Sequence, residues 1–249
     1  LKTAKLSNII KTIKLIEDRF RAIEELKKLV YNRELGTNEN DIQKFIEKHY
    51  WIFGEQYHLV TAAEPKFEEA LRRYRYMIEG EKKDVKIDHP DKNKEMDIFM
   101  VRQDMQTDVI NNVVVELKHP RIKLGGHQLE QVKSYMRVIR SQDLFNAPNM
   151  TWQFYLVGNG FDETGYIESE FKNAKQHGEK SLAFLVDNYK IYVKKWSEIF
   201  ADFELRHQFL YKKLELEREN IIVSESKVEI AESSSQNSAR QEPEIILPK

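Results

Sequence analysis

The run NVVVELKHP at residues 112–120 constrains the fold more than any other stretch of the chain. Three consecutive valines favour a strand inside the protein, because β-branched side chains suit a pleated, buried surface. Side chains alternate along a strand, so Val113, Val115 and Leu117 share one face while Val114, Glu116 and Lys118 share the other. One face is apolar throughout. The second changes to a carboxylate and an ammonium at its end. Two readings follow: the strand delivers Glu116 and Lys118 to a cleft, or the two form an ion pair at the sheet rim, contributing about 0 to 1 kcal/mol.

Asp97 bears on that choice. The segment EMDIFMVR at 95–102 has the alternation of a strand, with Asp97, Phe99 and Val101 on one side and Met96, Ile98 and Met100 on the other. An acid in such a run is costly to bury without compensation. If the two strands pair through the turn in QDMQTDVIN, Asp97 and Glu116 converge. Two carboxylates brought together repel, and a divalent cation with Lys118 nearby relieves the repulsion. Hard oxygen donors of this kind suit Mg²⁺ or Mn²⁺.

The surrounding periodicity predicts the frame. Ile9, Ile13, Ile16, Phe20 and Ile23 lay an apolar seam along a first helix. It can pack on its own domain, join a region preceding this chain, or meet a second subunit. A second helix starts at Thr37 or Asn38 and runs through NENDIQKFIEKHYWIF, and a third spans FEEALRRYRYMIE between Pro65 and Gly80. DVKID, EMDIFMVR and NVVVELK read as strands, followed by a helix over GGHQLEQVKSYMRVIR. TWQFYLVGN, SLAFLVD and YKIYVKK are further strands, the last two a hairpin around Asn188, and a long helix begins at Trp196. The pattern predicts a mixed α/β fold, a central sheet flanked by helices with an N-terminal helix. It divides into an amphipathic helix at 1–35 for linkage or oligomerisation, a body at 36–218, and a polar, serine-rich tail at 219–249 expected to be disordered. The closing EPEIILPK reads as a loose end or a docking strand.

Composition narrows the class. There is no cysteine, hence no disulfide and no thiolate zinc site. No apolar run approaches the roughly 18 residues of a membrane span, and no leader opens the sequence, so the expected address is cytoplasmic without a membrane partner. The net charge of −1 includes an acidic tail, which leaves a weakly basic body that permits nucleic-acid contact without requiring it. The leucine start is expected to mark an excerpt of a longer chain.

Several residues around the strand pair are candidates for the same site. On the helix after NVVVELKHP, Leu129, Val132, Met136 and Ile139 form the apolar stripe, Gln128, Gln131 and Tyr135 a polar neighbour, and Lys133, Arg137 and Arg140 a basic row. Gln131 and Tyr135 can position a substrate or pack at the rim. The basic row can meet phosphates or be a solvated face. Glu39 shares the inner side of the second helix with Ile42 and Ile46, as a site residue or as a first-turn acid complementing the helix dipole. Arg121 and Lys123 can meet a nucleic-acid backbone or be loop charges. His119 and His127 flank the motif as proton carriers or structural hydrogen-bonders, and Tyr74 in RRYRY suits core packing better than base stacking.

Asp97, the ELK at 116–118, and Gln131 with Tyr135 on the next helix resemble the PD-(D/E)xK nuclease superfamily. More narrowly, NENDIQKFIEKHYWIFGEQY, VVVELKHP and HQLEQVKSYM resemble the nuclease domain of the Shedu anti-phage defence proteins, over roughly residues 36–200. The resemblance implies a restriction-endonuclease-like fold and a metal-dependent deoxyribonuclease. Asp97 and Glu116 would hold Mg²⁺ or Mn²⁺ with the backbone carbonyl of Leu117, and Lys118 would orient the attacking water and stabilise phosphate charge. Gln131 and Glu39 would assist, and Met96 stands where the superfamily has proline. It further implies DNA as partner, a homo-oligomer, and an N-terminal sensing region. Against this stand a catalytically silent DNA-end or nucleic-acid binding module, and an oligomerisation scaffold in which the charges form a structural ion pair.

Overall fold

The computed structural model describes residues 2–61, 65–80, 84–104 and 106–238, with side chains omitted at 2–4, 33 and 224–238. The element order is α1 (Lys2–Tyr31), α2 (Glu39–Lys48), β1 (His58–Thr61), α3 (Phe67–Glu79), β2 (Ile98–Asp104), β3 (Val109–Leu117), α4 (Gly126–Arg140), β4 (Met150–Gly158), α5 (Tyr166–Ala174), β5 (Leu182–Val186), β6 (Tyr189–Lys195) and α6 (Trp196–Ser238). The six strands make one mixed sheet in the order β1-β2-β3-β4-β6-β5. β3, β4 and β6 run parallel to their neighbours in that series, whereas β1-β2, β2-β3 and β5-β6 are antiparallel. The mixed α/β fold expected from the sequence is present in this form.

The chain forms two compact units. One comprises Ala22–Phe203 and contains the whole sheet; the other comprises Leu1–Arg21 and Glu204–Lys249. Inside the sheet unit, the alternation of the strands buries both faces. Phe99, Val114, Trp152, Phe154, Leu156 and Ile191 pack with Phe67, Leu71 and Tyr74 of α3 and with Leu129, Val132 and Ile139 of α4. Trp152 stacks on Phe99 at 5.7 Å between ring centroids. Their alternates Ile98, Met100, Val113, Val115 and Leu117 are buried on the opposite face. Each such side chain contributes on the order of 1.5–3 kcal/mol when fully buried, so the register of β2 against β3 is strongly fixed. In the second unit, Ile9, Ile13 and Ile16 are buried. Phe20 meets His207 and Tyr211 edge-on at 6.5 and 6.3 Å, and Lys5 pairs with Glu217 at 3.6 Å, so the two segments lie antiparallel.

Three expectations need correction. DVKID is not a strand: it runs unpaired, and Ile87 is buried with its N–H donating to Glu68 at 3.0 Å. A side-chain acceptor has replaced a ladder partner there. Residues 219–238, expected to be disordered, continue α6. No glycine or proline interrupts the chain between Gly178 and Pro243. The rest of that tail, with its EPEIILPK, lies outside the described residues. Asp97 itself stands in a bend just ahead of β2 rather than within the strand.

Candidate active site

The antiparallel register of β2 and β3 sets Ile98 opposite Val115 and Phe99 opposite Val114. Carried one step beyond the ladder, it brings Asp97 to Glu116. Instead of a ladder bond, the Asp97 carboxylate accepts the Leu117 main-chain N–H at 2.7 Å. Lys118 follows the last residue of β3 and is still anchored, its N–H donating to Val157 O on β4 at 2.9 Å. Both flanking strands therefore fix the three residues. All three are buried, with relative exposures of 8%, 3% and 8% for Asp97, Glu116 and Lys118.

The side chains form one network. Lys118 Nζ donates to Glu116 Oε1 at 2.5 Å, and Gln131 Nε2 donates to the same oxygen and to the Tyr135 hydroxyl, each at 2.7 Å. The two residues from α4 are one turn apart, which puts them on the same side of the helix. Tyr135 is buried rather than at the rim, against Phe67 at 5.3 Å. From α2, Glu39 Oε2 accepts the His119 main-chain N–H at 2.7 Å, so it is a tether for the chain leaving β3 and more than a first-turn acid. Its position follows from the cap: Asn38 and Asp41 exchange side-chain bonds to each other's N–H at 2.8 and 3.0 Å. Gln43, one turn on, donates to the Asp97 carbonyl at 3.2 Å.

Burial pushes the Asp97 carboxyl well above the usual carboxylate range, helped by the negative charges of Glu116 and Glu39, against the opposing Leu117 N–H bond and Lys118. Glu116 is also raised by burial, although Lys118 pulls the other way. The Tyr135 phenol is raised by burial and by Glu116. Burial and like charge together are the electrostatic signature here.

These groups line a cleft of about 590 Å³, with Glu39, Asp97, Glu116, Lys118, Gln131 and Tyr135 in its wall. Sequence reasoning missed Lys94 there, whose Nζ donates to Ser134 Oγ at 2.8 Å and pairs with Asp91 at 3.1 Å. It also passed over Ser134, and left the lining His127 open. The only advance signal for Lys94 was its closeness to Asp97 in sequence.

The expected basic row is divided. Arg137 lines the cleft and pairs with Glu130 at 2.7 Å. Lys133 turns away from it, to Glu170 of α5 at 3.4 Å and over the Phe184 ring at 4.9 Å. Arg140 pairs with Asp187. Arg121 and Lys123 border a different hollow, beyond His119.

The donor set fits a hard divalent cation in two respects. The Asp97 side chain, from the bend ahead of β2, and Glu116 on β3 raise the cost of each other's charge, and Glu116 Oε2 is buried with no hydrogen-bond partner. Among the described residues no three His, Asp or Glu side chains form a ready-made cage. Main-chain oxygen and water would complete the shell, as is usual for Mg²⁺.

No family model matches the chain, and neither do any curated protein or solved structure.

Proposed function

We propose that this chain is a metal-dependent deoxyribonuclease of the PD-(D/E)xK type, with Asp97, Glu116 and Lys118 at its centre and Gln131, Tyr135 and Glu39 in support. The observation that carries the reading is the convergence of Asp97, just ahead of β2, and Glu116 at the end of β3, with Lys118 on the Glu116 carboxylate while Glu116 Oε2 has no partner. Asp97, Glu116 and the Leu117 carbonyl would hold a cation, Mg²⁺ or Mn²⁺, which would supply an activated nucleophile near neutral pH and charge to offset that on the phosphate. Lys118 would orient the attacking water and stabilise charge on the phosphate. Gln131 and Tyr135 hold the Glu116 carboxylate in place. Glu39 fixes the His119 backbone, and hence the end of β3. Lys94 and Arg137, on the cleft wall, meet the phosphate backbone electrostatically.

The Shedu resemblance carries this reading to anti-phage defence in a cytoplasmic homo-oligomer. Among the described residues no helix is long and apolar enough to cross a membrane. One observation favours a second reading: Lys118 and Glu116 already neutralise each other, as a silent nucleic-acid binding module or a structural ion pair would require. The unpartnered Glu116 oxygen weighs against it, because a purely structural pair has no reason to leave a buried carboxylate oxygen unbonded. The test is incubation of linear and circular DNA with Mg²⁺, Mn²⁺ or EDTA. Cleavage that needs the metal and fails in Glu116→Gln is the expected result. Retained cleavage in EDTA overturns the proposal.

A further inference from the structure

Directly after Lys118 the chain runs along a second hollow of about 720 Å³, lined by Val30, Tyr31, Thr37, His119, Arg121, Lys123 and Asn159 among others. Its chemistry is distinct from that of the carboxylate cleft. No acidic side chain lines it. Among the described residues neither Arg121 nor Lys123 has a carboxylate within ion-pair distance. His119 Nδ1 accepts the Arg121 main-chain N–H at 3.1 Å, which leaves the proton of the neutral ring on Nε2 as a further donor.

Two polar atoms on this wall are also unmatched. Asn159 Nδ2 is fully used, donating to the carbonyls of Val30 and Pro120 at 3.0 Å each, while its Oδ1 is buried without a partner. The Thr37 hydroxyl is likewise buried and unpartnered. Orphaned polar atoms beside uncompensated cations and an apolar wall of Leu29, Val30, Tyr31 and Pro120 describe a ligand with anionic, hydrogen-bonding and apolar parts.

We infer that this hollow is a binding site for a nucleoside phosphate, with Arg121 and Lys123 on the phosphate and Thr37 and Asn159 toward the hydrogen-bonding edge of the base. The same chemistry comes from a free mononucleotide or from a phosphorylated nucleic-acid terminus. The site is independent of metal chemistry in the cleft, although Glu39, which lines the cleft, holds the His119 N–H at its border.

Calorimetric titration in EDTA separates this claim from the nuclease reading, since no metal-dependent event contributes. The probes are AMP, adenosine, inorganic phosphate and a short 5′-phosphorylated oligonucleotide. Saturable binding of AMP is expected, weaker for adenosine and for inorganic phosphate. The double change Arg121→Ala with Lys123→Ala weakens it by about tenfold or more, and Arg140→Ala, at an exposed residue that lines neither hollow, leaves it unchanged. Both replaced side chains are exposed, so the fold tolerates their removal; Thr37→Val, nearly isosteric, gives an independent loss. Tighter binding of the oligonucleotide assigns the site to strand termini, and tighter binding of AMP assigns it to free nucleotide. Absence of saturable binding, inorganic phosphate bound as tightly as AMP, or binding kept in the double variant overturns the inference.

Discussion

The Asp97 carboxylate accepts the main-chain N–H of Leu117, 20 residues along the chain, at 2.7 Å. One acid thus closes the last step of the β2–β3 pair and supplies a charge to the cleft. Asp97→Ala leaves a buried N–H without its acceptor, a loss of about 1–3 kcal/mol. Asp97→Asn keeps an acceptor oxygen and removes the repulsion from Glu116 and Glu39. Urea unfolding is expected to show the alanine variant clearly destabilised and the asparagine variant equal to wild type or more stable, with metal-dependent cleavage lost in both.

The raised carboxyls give the protein a pH dependence of definite sign. A carboxyl with its folded pKa above its unfolded value binds more protons in the folded state. Its contribution favours folding in mild acid and is lost as pH rises from the ordinary carboxylate value through the raised one. For Asp97 and Glu116 both directions are upward. The unfolding midpoint of wild type in EDTA is therefore expected to fall relative to Asp97→Asn as pH increases across that window. Millimolar Mg²⁺ is expected to reduce the difference, because a bound cation favours the ionised carboxylates and stabilises the fold by mass action.

Glu39 depends on the cap that precedes it. Asn38→Ala removes one half of the reciprocal Asn38–Asp41 bonding and costs about 1 kcal/mol. Glu39→Gln retains an acceptor for the His119 N–H, whereas Glu39→Ala does not. The expected order of cleavage rates is wild type, then Glu39→Gln, then Glu39→Ala, and single-turnover kinetics at saturating DNA checks it.

Alternation alone placed Glu116 and Lys118 on one face, because in a strand the side-chain period is fixed by the backbone. The same rule put Asp97 beside Glu116 once pairing was assumed, and the register places it there, one residue ahead of the strand. Helix flanks were less legible. Gln131 and Tyr135 faced the cleft as the spacing allowed, but Lys133 lies on the flank toward α5, an element whose nine residues carried no recognised signal. β1 was passed over as an apolar stretch, being four residues long and the edge of the sheet. Lys94 reaches the cleft from a loop, where no period links sequence to direction. Arg121 and Lys123 are a short way from Lys118 in sequence, yet a sharp change of course at His119 and Pro120 gives them a different hollow. The tail misled for another reason: its polarity suggested disorder, although residues 219–238 hold no glycine or proline to break a helix.

Lys118 tests the central claim most directly, since it touches the carboxylate and holds the charge opposite in sign to the site. Its removal leaves Glu116 buried without its cation, a loss of about 3–5 kcal/mol unless Glu116 takes up a proton, so the variant is assayed at a temperature where its circular dichroism matches wild type. Cleavage of DNA by wild type and by Lys118→Ala is compared side by side in Mn²⁺ and in EDTA. Metal-dependent cleavage by wild type with none above background in Lys118→Ala is the predicted result, and equal cleavage by both proteins, or none by wild type under any metal, would contradict the account.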